Sequence, residues 1–143
     1  MDNGIMLVCG SIDKDEKYDS IKTICEVYTE LYVYDVPKII ELSEGQNNNL
    51  YQNLTIIVQN SKLVVIDASN GSVINGIVLQ LAEEKNIPTF VLNKKGKQNL
   101  TTTICNYMDN IYEVATYDKE PSEALDRVAS FAKQYATLSK QKK

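Results

Sequence analysis

The sequence predicts a single α/β domain with a doubly wound, mainly parallel five-stranded sheet flanked by helices. Short β-branched runs alternate with stretches whose apolar residues recur at helical spacing, the pattern of successive strand–helix–strand units. Leu63-Val64-Val65-Ile66 is a continuous apolar run of the kind that fills a strand covered on both faces. At 143 residues and 43% hydrophobic composition, one core forms without disulfide or metal staples.

The elements follow in order. Ile5 to Val8 is the first strand and runs into the loop Cys9-Gly10-Ser11-Ile12. Tyr18, Ile21, Ile24, Cys25 and Tyr28 then mark an amphipathic helix. Leu31 to Tyr34 suits the second strand, and Pro37 breaks the chain before Ile39, Ile40 and Leu42. The amide-rich loop Glu44 to Asn49 leads into a second helix whose inward face is Leu50, Leu54, Ile57 and Val58.

The third strand, Leu63 to Ile66, ends at Asp67, and a helix from about Ser72, its N-cap, runs to Lys85. Pro88 to Leu92 is the fourth strand, Leu100 to Tyr107 a short helix, and Ile111 to Ala115 the last strand. Pro121 suits the first turn of a final helix lined by Leu125, Val128, Phe131, Ala132 and Tyr135. The domain spans residues 1–138, and 139–143, with Lys140, Lys142 and Lys143, reads as a frayed basic tail.

Composition narrows the chemistry. The chain has no histidine, which removes imidazole triads, imidazole metal sites and imidazole acid–base catalysis. Cys9, Cys25 and Cys105 are too few and too scattered for a disulfide framework or a zinc site and read as reduced, mostly buried thiols. A net charge of −4 argues against duplex nucleic acid as a partner. No apolar run is long enough to span a membrane and no signal peptide opens the chain, so a cytoplasmic location is expected. No metal or cofactor is expected.

In an open parallel sheet, ligands bind beyond the carboxyl ends of the strands, where strand order reverses. Two loops qualify. Cys9-Gly10-Ser11 offers close backbone approach and a hydroxyl, and Asp67-Ala68-Ser69-Asn70-Gly71-Ser72 runs into a helix N-terminus able to hold an anion. Ser69, Ser72 and Gly76 fit that use, although a small polar turn before a capped helix is also ordinary α/β construction. Glu83 and Glu84 lie far along the same helix and read as solvated charges.

Several stretches together resemble the nucleoside 2-deoxyribosyltransferase superfamily, and most its 2′-deoxynucleoside 5′-phosphate N-hydrolase branch, whose fold is Rossmann-like. The Cys9-Gly10-Ser11-Ile12 loop stands where that family has its first-strand loop, and Tyr18 is the nearest match to a site tyrosine. The family's strand ending in an acid, then Ser-x-Gly-x-Gly-x-Glu, is matched here by Asp67, Ser72 and Gly76 but not by Ile74 or Val78. The likeness extends from Leu100-Thr101-Thr102-Thr103-Ile104 through Tyr112-Glu113-Val114-Ala115-Thr116-Tyr117-Asp118 to the final helix.

The resemblance implies a nucleotide or nucleoside ligand held by Cys9, Gly10, Ser11, Ile12, Asp67, Ser69, Asn70, Ser72, Asn75 and Gly76. It also implies a homodimer in which Thr101 reaches a phosphate across the interface; exposed tyrosines such as Tyr28, Tyr32 and Tyr34 are compatible with a dimer face, as they are with packing. In the family, a glutamate at the Val78 position attacks the sugar C1′ and an aspartate on the preceding helix assists departure of the base. Valine has no lone pair with which to form a glycosyl intermediate. Asn53 or Leu54 stands where the aspartate is expected. Ile74, in place of a glycine, narrows the helix start.

Three functions follow as expectations. One is a nucleotide-binding protein without catalysis, with the phosphate at Ser69, Ser72 and Gly76 and the base near Gly10 and Ser11. The second is an active N-glycosidase or deoxyribosyltransferase using displaced residues, Tyr18 and Asp67 being the catalytic candidates. The third is an interaction protein with a closed pocket.

Overall fold

The computed structural model describes residues 4–8, 22–23, 25–26, 32–35, 39, 49–69, 73–96, 100–119 and 121–141. In chain order these form β1 Gly4–Val8, β2 Tyr32–Asp35, α1 Asn49–Gln59, β3 Ser61–Asp67 and α2 Val73–Glu84. They continue with β4 Thr89–Lys94, α3 Leu100–Cys105, β5 Ile111–Tyr117, a 3-10 turn Pro121–Ala124 and α4 Leu125–Gln141. Lys22, Thr23, Cys25 and Glu26 are helical between β1 and β2.

The strands lie in one sheet in the order β2-β1-β3-β4-β5, and every pairing is parallel. Side chains alternate across a strand, so β3 and β4 each feed two cores. Val64, Ile66 and Val91 meet α1 and α2 through Leu54, Val58, Val78 and Leu79. Leu63, Val65, Phe90, Leu92 and Ala115 meet α4 through Val128 and Phe131 on the opposite face. The expected α/β class, a parallel sheet flanked by helices, is therefore what these residues build. No helix among the described residues is long and apolar enough to cross a membrane.

The helices bury the faces that their spacing predicts. On α1, Leu54 and Val58 are buried, with Leu50 and Ile57 packed against them. On α4, Val128, Phe131 and Ala132 are buried, with Leu125 and Tyr135 beside the cluster. Phe131 sits 5.4 Å from Phe90 and 5.0 Å from Tyr112, ring centre to ring centre, in the tilted arrangements that aromatic pairs favour. Removing so buried a ring costs about 3–5 kcal/mol.

The end of α2 shows how local chemistry sets a boundary. Asn86 takes a positive φ of 53°, its N–H bonds the Glu83 carbonyl at 3.0 Å, and the Ile87 N–H bonds the Ala82 carbonyl at 2.8 Å. This pair of bonds is a Schellman closure in which asparagine takes the position usually held by glycine, and Pro88 follows because it cannot prolong a helix. Glu83 and Glu84 are exposed, as expected.

Several boundaries differ by a residue or two from expectation, and three of the differences have a local cause. Pro121 lies in a 3-10 turn ahead of α4 rather than in the helix's first turn, because the Glu123 carboxylate folds back to accept the Asp118 and Lys119 N–H groups, each at 2.9 Å. The final helix runs through Gln141, so the division at residue 139 falls inside it; nothing between Thr137 and Gln141 breaks a helix, and lysine suits a helix C-terminus. β5 continues past Ala115 to Tyr117, because the alternation persists with Thr116 outward and Tyr117 inward. Tyr32 is half exposed and packs at 4.8 Å on Tyr34, whereas Tyr28 lies outside the described residues.

Candidate functional site

A parallel sheet presents the last residue of every strand at one edge, and strand order reverses here between β1 and β3. β3 ends at Asp67, and the next N–H, that of Ala68, donates to the Leu92 carbonyl on β4 at 2.8 Å. A trans peptide points its C=O away from its N–H, so the Asp67 carbonyl faces β1 and the gap between the two strands. Asn75, in the first turn of α2, donates Nδ2 to this carbonyl at 3.0 Å. A carbonyl only accepts, which orients the amide. The Asn75 side chain is fully buried, and its Oδ1 has no hydrogen-bond partner among the described residues.

The Asp67 carboxylate is held just as firmly. Its Oδ1 accepts the Ser69 N–H at 3.1 Å and the Ser69 hydroxyl at 2.6 Å, closing a local turn. The Tyr117 hydroxyl reaches Oδ2 at 3.0 Å and Oδ1 at 3.3 Å. Ser69 Oγ is 2.7 Å from that hydroxyl and accepts the Lys94 N–H at 2.9 Å. Tyr117 itself is buried, and its carbonyl accepts the Lys95 N–H at 2.7 Å. The network thus joins the carboxyl ends of β3, β4 and β5. Donors on both oxygens lower the nucleophilicity of the Asp67 carboxylate without using all of its lone pairs.

One turn beyond Asn75, Val78 is 0% exposed and shares a buried apolar cluster with Leu54 of α1, itself 3% exposed. Ile74 packs partly against the same cluster. Gly76 is exposed on α2, and a Cβ built there would meet nothing within 4 Å. No packing among the described residues therefore requires this glycine, which costs about 1 kcal/mol against alanine within a helix.

Of the site residues expected from sequence, the structure brings Asp67, Ser69 and Asn75 together at the β3 end and sets Gly76 on the exposed face of α2. Cys9, Gly10, Ser11, Ile12, Tyr18, Asn70 and Ser72 lie outside the described residues, and Thr101 is described only as part of α3. Sequence reasoning missed Tyr117 as a member. Its signal was the period of two from Ala115, which aims residue 117 at the same face as Asp67.

A second charged pair lies at the carboxyl end of β2, where Lys22 Nζ meets the buried Asp35 carboxylate at 3.0 Å. Both described thiols are buried and held protonated: burial pushes Cys25 up to about 12 with a smaller contribution from Glu26, and burial pushes Cys105 to about 11 against a lowering backbone hydrogen bond. Among the described residues, no group of three or more acidic or cysteine side chains is placed to hold a metal ion.

The chain matches no protein family and no curated protein. Smu.1420 from Streptococcus mutans UA159, a solved structure, aligns with a TM-score of 0.45 at 9% identity, over 92% of this chain and 99% of that one.

Proposed function

We propose that the chain is a nucleotide-binding protein of the nucleoside 2-deoxyribosyltransferase type without glycosidase chemistry. The observation that carries this reading is the burial of Val78 with Leu54 in one apolar cluster. The resemblance puts the nucleophile and its assisting acid at or beside these two positions, and here they hold α1 against α2. A carboxylate in that cluster would face desolvation without a partner. Asp67, the carboxylate nearest the turn into α2, is engaged by Ser69 and Tyr117 and is poorly disposed to replace them.

The proposed ligand lies over the carboxyl ends of β1 and β3, with its phosphate at the N-terminus of α2 and its base near Gly10 and Ser11. The same resemblance supports a homodimer, checked by sedimentation. The test uses a panel of ribo- and deoxyribonucleoside 5′-monophosphates. Free base is quantified by chromatography and unfolding is followed by thermal shift. The expected result is no base release together with stabilisation by some member, about 2.7 kcal/mol at 100 times its dissociation constant. Base release by the wild type that disappears in Asp67→Asn would overturn the proposal in favour of a displaced catalytic carboxylate.

A further inference from the structure

The Asp67, Ser69 and Tyr117 oxygens form a triangle, and counting its protons bears on the ligand. A carboxylate brings none, and each hydroxyl brings one. Three contacts compete for these two protons: Ser69 to Asp67 at 2.6 Å, Tyr117 to Asp67 at 3.0 Å, and Ser69 to Tyr117 at 2.7 Å. The shortest has the length of a hydroxyl donating to a carboxylate, which commits the serine proton. The tyrosine proton lies between Asp67 Oδ2 and Ser69 Oγ. Ser69 Oγ also accepts the Lys94 N–H at 2.9 Å.

Neither hydroxyl therefore has a proton to give to an arriving phosphate, and the carboxylate between them repels one. Unused accepting capacity remains. A carboxylate offers about four lone-pair directions, and among the described residues Oδ2 receives only the Tyr117 hydroxyl. Asp67 is only half-buried at the strand end, beside the gap where strand order reverses.

We infer that Asp67 Oδ2, held in place by Tyr117, accepts a hydrogen bond from a ligand hydroxyl, and that this end of the site takes the sugar while phosphate is excluded from Ser69. This rests on the nucleotide reading above and assigns its polarity: the donor comes from the ligand, so ribose hydroxyls discriminate. Tyr117 is a positioning residue, acting through the carboxylate it fixes.

The experiment measures dissociation constants by calorimetry for ribonucleoside 5′-monophosphates, their 2′-deoxy and 2′,3′-dideoxy counterparts and the phosphate-free nucleosides, on the wild type, Asp67→Asn and Ser69→Ala. The expected result is a loss of about tenfold or more when the hydroxyl facing Asp67 is removed, the size of a hydrogen bond to a charged group. That loss shrinks in Asp67→Asn, because the two deletions remove the same interaction. The ratio of nucleotide to nucleoside affinity is the same in Ser69→Ala as in the wild type. Binding indifferent to both hydroxyls, or a ratio that collapses in Ser69→Ala, overturns this inference while leaving nucleotide binding intact. Binding of no member overturns the nucleotide reading and this inference together. The ligand series on the wild type decides even where Asp67→Asn does not fold.

Discussion

Placing a glutamate at position 78 is the sharpest probe of the buried α1–α2 cluster. Val78 is 0% exposed within the α1–α2 cluster. A longer side chain there overpacks the core by about 1–3 kcal/mol, and its neutral carboxyl adds roughly 1–3 kcal/mol for a buried polar group without a partner. Ionisation comes on top. In the unfolded chain the carboxyl titrates near ~4.3, whereas a fully buried glutamate reaches roughly 8–9.

Below the unfolded value the carboxyl is neutral in both states and adds no ionisation penalty. Above it, only the unfolded state releases its proton, so stability falls with rising pH by about 1.4 kcal/mol per unit until the folded value is reached. At pH 7 this alone is about 3.7 kcal/mol, and the whole perturbation rivals the roughly 5–15 kcal/mol stability of a domain. Urea titrations of Val78→Glu and Val78→Gln between about pH 4.5 and 7.5 separate the contributions, since glutamine keeps the shape and cannot ionise. The expected result is two variants of similar stability at the acid end that diverge as pH rises. Equal stability across the range would show that residue 78 reaches solvent and refute the buried-cluster reasoning; base release by Val78→Glu would then mark the position as an open catalytic pocket.

Three further outcomes follow from the same geometry. Gly76→Ala adds a methyl to open space at a helical backbone and should raise stability by about 0.5–1 kcal/mol in denaturant melts, while weakening a ligand that approaches the start of α2; a destabilised variant would show packing that the structure lacks. Tyr117→Phe removes the phenol that reaches Asp67 at 3.0 Å and Ser69 at 2.7 Å and should cost about 1–3 kcal/mol, because a bond to a charged group is lost; an unchanged melting temperature would refute the clamp. Alkylation of the native protein near pH 8, read by peptide mass spectrometry, should leave Cys25 unmodified until denaturant is added, its thiol lying at about 12; rapid labelling would contradict its burial.

Much of the architecture was legible because its causes are local in sequence. The run at 63–66 and the spacings of Leu50, Leu54 and Val58 and of Val128, Phe131 and Ala132 each encode which side faces a core; all are buried except Leu50, which packs partly buried against its cluster. Asn86-Ile87-Pro88 ends α2 by turn chemistry contained in three residues. The basic end near Lys140 was read from charge alone. Its helix follows from the absence of any breaker, a weaker signal.

The candidate site was half legible. Asp67 and Ser69 stand out as a polar turn after an apolar strand, but their partners are remote: Tyr117 is 50 residues from Asp67. β4 and β5 bring it there, and no one-dimensional period links two different strands. The sequence by itself determined the class of fold and the inward faces of its helices. Only the tertiary structure decided that Val78 is sealed in a core and that the Asp67 carboxylate is held in place by Ser69 and Tyr117. Burial and hydrogen bonding are properties of neighbours in space, which the chain acquires when its sheet assembles.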